Sequence, residues 1–419
     1  MNDTDFISII LPVCNGERFL RFAVNSVLAQ NFQHFELILI NDGSTDQTAT
    51  IIKQYNDRRI RAYHHQKRQG LVPTLNEGIK RSNGTLIARI DADDVWHPEK
   101  LTKQLSFLRT HPAVGLCGSS YVQIDECGNV LAEIDLPTDP EDIFYTLLYR
   151  NCIVHSSVVF RKEIFDRVGP YDLRWRHIED YDLWLKFAKE SQIAILSDHL
   201  VSYRMHADAI SDKYYQEQQR SCLKRGKEAH AFFGFEFHQG VATALKENSF
   251  FFPNENSFLS NLQAFHESIR VRSPSYFDAK AISRFLDGKL AQVSGELNKY
   301  KFLKTWMLDV FHVYDPGKIG FYAAGSLAKA LIDFLEHQLG IKPAIIFDQF
   351  PKRASVQDHA IVHPSQVGEY DIDCIIITSE RHHVAIEKSL NALRNEKGIA
   401  ILNPFKQKEM RPNAQRAWF

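Results

Sequence analysis

A chain of 419 residues can form two or three domains with a large core. A composition of 44% hydrophobic and 24% charged residues excludes a disordered or fibrous class. The net charge of -1 provides no overall field to hold nucleic acid, and the six cysteines form no CxxC pair, which argues against structural zinc and a disulfide framework. Residues 1–5 are acidic and do not read as a secretory signal, and no apolar run reaches membrane-spanning length. The expectation is a cytoplasmic protein, with peripheral contact at the inner face of the membrane left open.

The chain opens with Phe6-Ile7-Ser8-Ile9-Ile10-Leu11, a near-continuous apolar run of the kind that forms a buried parallel strand. Pro12 closes it, and Val13-Cys14-Asn15-Gly16 forms a loop. A helix follows, with Phe19, Leu20, Ala23, Val24, Val27 and Leu28 on one face. Residues 35–40 form a second strand ending in Asn41-Asp42-Gly43-Ser44-Thr45-Asp46, with a helix over 46–55. Strand 60–64 leads to the polar loop Gln66-Lys67-Arg68-Gln69-Gly70, then to helix 74–82 and strand 85–90. That strand ends in Asp91-Ala92-Asp93-Asp94. Strictly alternating strands and helices predict a parallel sheet covered on both faces, with ligands held beyond the carboxyl ends of its strands. Pro12, Asp42 and Asp91 all stand at such ends.

Helix 99–109 packs through Leu101, Leu105 and Leu108. Strands at 114–124, 152–160, 193–196 and 200–204, with helices at 162–168 and from 178, read as an α+β portion appended to the parallel half. Residues 213–315 are rich in Gln, Lys, Glu and Phe and lack strand alternation, so they read as a helical connector, with helices at 214–233 and 281–313 and a break at Phe250-Phe251-Phe252-Pro253. A new α/β unit starts at Lys318. Its expected strands are 318–322, 344–347, 374–377 and 399–402, with helices at 327–339 and 383–393. The division is 1–212, 213–315 and 316–419.

Three carboxylates at 91, 93 and 94 repel one another unless a cation joins them. Asp91 and Asp93 point to the same side of extended backbone, which suits a hard divalent cation with oxygen ligands. The alternative is a polar turn opening the next helix, with Pro98 near its first position. Asp42 could cap the following helix, but by spacing the cap falls to Ser44 or Thr45. Lys67 and Arg68 read as a solvated basic loop. Trp184, at helical spacing with Tyr181, Leu185 and Ala188, reads as core.

Pro12-Val13-Cys14-Asn15, Asn41-Asp42-Gly43-Ser44-Thr45-Asp46, Asp91-Ala92-Asp93-Asp94 and Glu179-Asp180-Tyr181-Asp182-Leu183-Trp184 occur in that order. Together with Tyr203-Arg204-Met205-His206, this arrangement resembles the family 2 inverting glycosyltransferases of GT-A fold, over roughly the first half of the chain. Cys14 departs from the pattern, where an aromatic residue is commoner. The resemblance implies a nucleotide pocket lined by Pro12, Val13, Asp42, Asp91 and Ala92. It places Mn²⁺ or Mg²⁺ on Asp93, Asp91 and His206, although His206 equally suits a hydrogen-bonded structural role. It puts the general base at Asp180, with Asp182 structural. The implied donor is a UDP-sugar and the implied acceptor a glycan or lipid-linked sugar, as in surface polysaccharide synthesis; a homo-oligomer is left open.

The same fold also hosts sugar nucleotidyltransferases, but Cys14-Asn15-Gly16-Glu17 is no glycine-rich basic phosphate loop. In the C-terminal part, Ala323-Ala324-Gly325-Ser326 is a degenerate dinucleotide fingerprint with Asp348 at the next strand end. It resembles small Rossmann-like domains attached to sugar-modifying enzymes. This leaves open a nicotinamide-dependent module fused to the transferase.

Overall fold

The computed structural model describes residues 5–206, 214–235, 255–272, 274, 277–278, 280–294, 319–322, 345–347, 355–356, 359–362, 372, 374–377, 390 and 399–402. The chain forms two compact units, Met1–Phe237 with Phe265–Phe285, and His238–Ala264 with Leu286–Phe419.

The first unit is built on a nine-stranded sheet. Its parallel half comprises β1 (Ile7–Val13), β2 (Phe35–Asn41), β3 (Ile60–His64) and β4 (Leu86–Arg89), in the order β3-β2-β1-β4. Helices α1 (Leu20–Leu28), α2 (Thr48–Lys53) and α3 (Leu71–Lys80) make the crossovers. Every residue of β1 and β2 is buried, the physical reason both read as nearly continuous apolar runs; Ser8 and Glu36, which interrupt them, hydrogen-bond to each other at 2.6 Å. Register places Val13 beside Asn41 and Ile10 beside Arg89. The ends of β1, β2 and β4 therefore lie along one sheet edge, and Asp42 and Asp91 follow directly from it.

Past β4 the sheet reverses direction. Strand β8 (Val159–Arg161) pairs antiparallel with β4, with Ala88 opposite Val159. Strand β6 (Val114–Ile124) pairs antiparallel with β8, and β9 (Gln192–Arg204) runs parallel to β6. Strand β5 (Val95–Trp96) closes the edge against β9, and β7 (Val130–Ile134) forms a hairpin with β6. The portion expected as an appended α+β piece is thus continuous with the parallel half. The two strands expected at 193–196 and 200–204 are one, with register shifts in its pairing to β6. Helices α4 (Lys100–Thr110), α5 (Pro140–Leu147), α6 (Lys162–Val168) and α7 (Glu179–Glu190) complete the unit. Among the described residues, no helix is long and apolar enough to cross a membrane.

Helix Tyr215–Phe233 and a helix at 280–294 lie where the sequence places helices, and Glu255–Arg272 is a further one. In the second unit, β10 (Ile319–Tyr322), β11 (Ile345–Phe347), β13 (His359–Val362), β14 (Cys374–Ile377) and β15 (Ala400–Leu402) are parallel, in the order β13-β11-β10-β14-β15. Strand β12 (Ser355–Val356) pairs antiparallel with β13. The expected helix at 327–339, that at 383–393 apart from Leu390, residues 295–313 of the expected helix 281–313, the fingerprint at 323–326, Asp348 and the break at 250–253 lie outside the described residues.

Candidate active site

The first wall of the crevice is made by two loops tied to each other. Asn15 and Gly16 donate their backbone N–H groups to Ser44 Oγ and Thr48 Oγ1, both at 2.9 Å. In return, Thr45 N–H donates to Asn15 Oδ1 at 2.8 Å, and Gln47 N–H to Glu17 Oε2 at 2.8 Å. A Cβ on Gly16 would come within 2.5 Å of Val13 Cγ2, so only glycine lets this loop lie on the strand end, with Ala92 alongside. Pro12 and Val13 themselves are buried. Contrary to expectation, neither Ser44 nor Thr45 caps α2: the helix starts only at Thr48, its N-cap position Gln47 makes no side-chain cap bond, and Asp46 Oδ1 accepts from Thr48 N–H at 2.9 Å.

Asp42 is buried at the end of β2. Its carboxylate accepts from Gln69 N–H at 2.7 Å, Gly70 N–H at 2.8 Å and His65 Nδ1 at 2.8 Å. His65 Nε2 lies 2.8 Å from Glu77 Oε2, and Arg81 Nε donates to Glu77 Oε1 at 2.8 Å. Asp42 therefore fixes the loop that carries Lys67 and Arg68. At Gly43 (φ 65°) a Cβ would meet the Arg68 nitrogen at 2.5 Å, so the two loops touch through backbone. A carboxylate has about four acceptor positions, so Asp42 retains capacity for one more donor.

The second cluster follows β4. Arg89, wholly buried, grips Asp91 through both guanidinium Nη atoms. Asp91 N–H donates to Ser156 Oγ at 3.0 Å, and that hydroxyl donates to Asp91 Oδ2 at 3.2 Å. Burial raises the Asp91 carboxyl above its ordinary range; Arg89 opposes this and Asp93 adds to it. Asp93 Oδ2 lies 2.9 Å from His206 Nε2, with about a third of the Asp93 side chain exposed. Asp94 is buried, with Oδ1 accepting from Arg204 N–H at 3.0 Å; Arg204 Nε also donates to the Asp93 carbonyl at 2.9 Å. Burial, then the charges of Asp93 and Asp91, push the Asp94 carboxyl well up.

Oxygens of Asp91, Asp93 and Asp94 all lie within 4.8 Å of one another, and Asp94 Oδ2 has no hydrogen-bond partner among the described residues. Crowded oxygen donors with one buried atom unsatisfied fit a divalent cation. Both Asp91 oxygens accept from Arg89, whereas Asp93 shares one oxygen with His206.

The third group lies at the start of α7. Asp180 Oδ1 accepts from Tyr181 N–H at 2.7 Å, and Oδ2 from Asn151 Nδ2 at 2.8 Å. Burial raises the Asp180 carboxyl to about 6, with Tyr181 N–H, Arg89 and Asn151 opposing and Asp91 reinforcing. Burial and Asp180 raise Glu179 to about 7. Arg89 also faces His155 and Tyr171, which are joined by a 2.8 Å hydrogen bond. One buried guanidinium thus lies in the field of both the aspartate cluster and the Glu179–Asp180 pair. Asp182 is buried and ion-paired to Arg225 at 2.7 Å and to Lys186 at 2.8 Å, a structural role as expected. Trp184 is fully buried against Phe160 and Phe187, as expected of core.

A match to the family described as Glycosyl transferase family 2 spans residues 8–169. The putative glycosyltransferase EpsE of Bacillus subtilis is 33% identical over 221 residues, covering 51% of this chain and 78% of that protein. The chain belongs to glycosyltransferase family 2. An uncharacterised glycosyltransferase, RP339 of Rickettsia prowazekii, is 31% identical over 215 residues, 48% of this chain; the match spans 64% of that protein's length. The Escherichia coli UDP-Glc:alpha-D-GlcNAc-diphosphoundecaprenol beta-1,3-glucosyltransferase WfgD is 28% identical over 222 residues, covering 52% of this chain and 84% of that protein.

In this family 2 chain, the fold gathers Asp91, Asp93 and Asp94 into one cluster, brings His206 to Asp93 and leaves Asp180 in the field of Asp91. Asp42 stands on the same sheet edge with its oxygens already shared among loop donors. Arg89, Ser156, Asn151 and His65 carry contacts that the sequence reading gave to no one. Arg89 offered a signal, a lone cation in a buried strand two residues before three acids. The other three contact residues far away in sequence, which no spacing reveals.

Proposed function

We propose that this chain transfers a sugar from a UDP-sugar to a hydroxyl of a glycan or lipid-linked acceptor, with inversion at the anomeric carbon, in the assembly of a surface polysaccharide. The observation that carries this reading is the Asp180 carboxylate, raised to about 6 and within the field of the aspartate cluster. A carboxylate of that pKa is ionised at neutral pH yet basic enough to take a proton from a hydroxyl as it becomes a nucleophile. Asp180 accepts that proton while the acceptor oxygen bonds to the anomeric carbon and the bond to the diphosphate oxygen breaks. Pro12, Val13, Asp42, Asp91 and Ala92 would form the nucleotide pocket, with the remaining acceptor capacity of Asp42 turned to the uracil imide N–H. A divalent cation, Mn²⁺ or Mg²⁺, held by Asp93, Asp91 and His206, would supply positive charge to the leaving diphosphate. The similarity to WfgD, a UDP-Glc:alpha-D-GlcNAc-diphosphoundecaprenol glucosyltransferase, supports the donor and acceptor classes. Residues 1–212 would carry the chemistry, 213–315 a helical connector and 316–419 a second α/β domain.

The test is UDP release on incubation with a panel of UDP-sugars, Mn²⁺ and lipid-linked acceptors. Asp180→Asn is expected to lower turnover by roughly 10²–10⁴-fold while sparing UDP binding. Full transfer by Asp180→Asn would remove the assigned base. Absence of metal-dependent UDP binding would remove the whole reading.

A further inference from the structure

We propose that Asn151 is a positioning residue for the base, fixing the plane in which the Asp180 carboxylate meets the acceptor hydroxyl. The inference rests on the transferase reading above and goes beyond it.

Asn151 Nδ2 donates to Asp180 Oδ2 at 2.8 Å, while its own Oδ1 accepts from Ile153 N–H at 3.0 Å. The second bond decides the orientation of the first. A flipped carboxamide would set its oxygen against the carboxylate and its NH₂ against the Ile153 N–H, so the group has one satisfied state. Asp180 Oδ1 is held on the other side by Tyr181 N–H at 2.7 Å. Both oxygens are thus anchored, and the free lone pairs of the carboxylate have a fixed direction.

The chain position of Asn151 adds a second argument. Five residues on, Ser156 exchanges hydrogen bonds with Asp91, and the Ser156 carbonyl accepts from Trp96 Nε1 at 2.8 Å. Cys152 and Ile153 between them are buried. One short, anchored segment therefore grips the base at one end and the donor-side aspartate at the other. It sets the distance between the attacking and leaving sides of the reaction, and rate is sensitive to errors of an ångström there.

Asn151 also donates to the charged form of Asp180, which favours ionisation against burial. The charged and titratable groups facing Asp180 are Glu179 on its own helix, Arg89 and Asp91 at the end of β4, and Tyr171 in the loop before α7.

The experiment measures donor KM, kcat, the pH profile of kcat/KM and UDP affinity in the full-length chain. Asn151→Ala should lower kcat roughly 10–100-fold with donor KM and UDP affinity unchanged. The acid limb of its pH profile should move to higher pH. Asn151→Asp, close in shape and suited to a chain that must still fold, should move that limb further, because a second carboxylate replaces a donor. Asn151→Ser, which keeps a donor, should recover part of the rate. An unmoved acid limb in Asn151→Asp, or a fall in UDP affinity in step with kcat, would overturn the proposal. Asp180→Asn run alongside separates the two readings. If it transfers sugar at the normal rate, the base assignment fails; if it is inactive while Asn151→Ala behaves as wild type, only the role of Asn151 fails.

Discussion

At the scale of single residues, two buried cations turn local packing into pH dependence. His65 has a carboxylate 2.8 Å from each ring nitrogen. Only the protonated ring can donate to both carboxylates at once, so this arrangement favours the imidazolium. Burial opposes the charge, but Asp42 and Glu77 outweigh it and raise the pKa above 6.5. A raised folded-state pKa means that this stabilisation is complete below pH 6.5 and is lost as pH rises through the raised value. Thermal melts of His65→Gln should fall below wild type by roughly 1–3 kcal/mol at pH 6 and converge with it at pH 9. Lys100 is the opposite case. It is fully buried, donates to Gln104 Oε1 at 2.7 Å, and its Nζ lies 4.1 Å from the centroid of the Trp96 ring. Burial lowers its pKa from 10.5 to about 7. Between about pH 7 and 10.5 the unfolded chain binds the extra proton, so stability from this group rises with pH across that window. Lys100→Met should flatten that rise in denaturant titrations at pH 7 and pH 10. Nothing in Pro98-Glu99-Lys100 announces a buried lysine; Trp96 and Gln104 decide it.

At the scale of elements, α7 is held by its neighbours more than by its own ends. Ile178, at the N-cap position before it, makes no side-chain cap, yet Glu179, Asp180 and Asp182 lie in the first turn, where the helix dipole favours acids. Asp182 is then paired across to Arg225 on helix Tyr215–Phe233, with both side chains almost fully buried. Arg225→Met should cost on the order of 3 kcal/mol in chemical denaturation, because it strands a buried carboxylate that Lys186 only partly compensates. The parallel strands β1, β2 and β4 were legible because burial on both faces writes itself as mainly apolar runs. The single long strand β9 was not, since its breaks in pattern come from register shifts against β6, a partner far away in sequence.

At the scale of the whole molecule, the first unit extends past residue 212. Phe144 of α5 packs edge-on or tilted against Phe233, Phe235 and Phe277, and Tyr145 against Phe265, His266 and Phe285. A chain ending at residue 212 should therefore expose these rings, bind a hydrophobic dye and melt earlier than one ending at residue 294, which keeps them covered. The amino-acid sequence by itself determined the parallel half of the sheet, the edge on which Pro12, Asp42 and Asp91 stand, and the acids at 91–94 and 179–182. These rest on local periodicity and on charge density, both written along the chain. Only the tertiary structure decided that residues 114–204 continue the same sheet, that His206 meets Asp93, and that Arg89 lies in the fields of Asp91 and Asp180. It likewise decided that Asn151 holds Asp180. Each depends on strand pairing or side-chain contact between residues distant in sequence, where burial sets the strength of the interaction and no spacing encodes the partner.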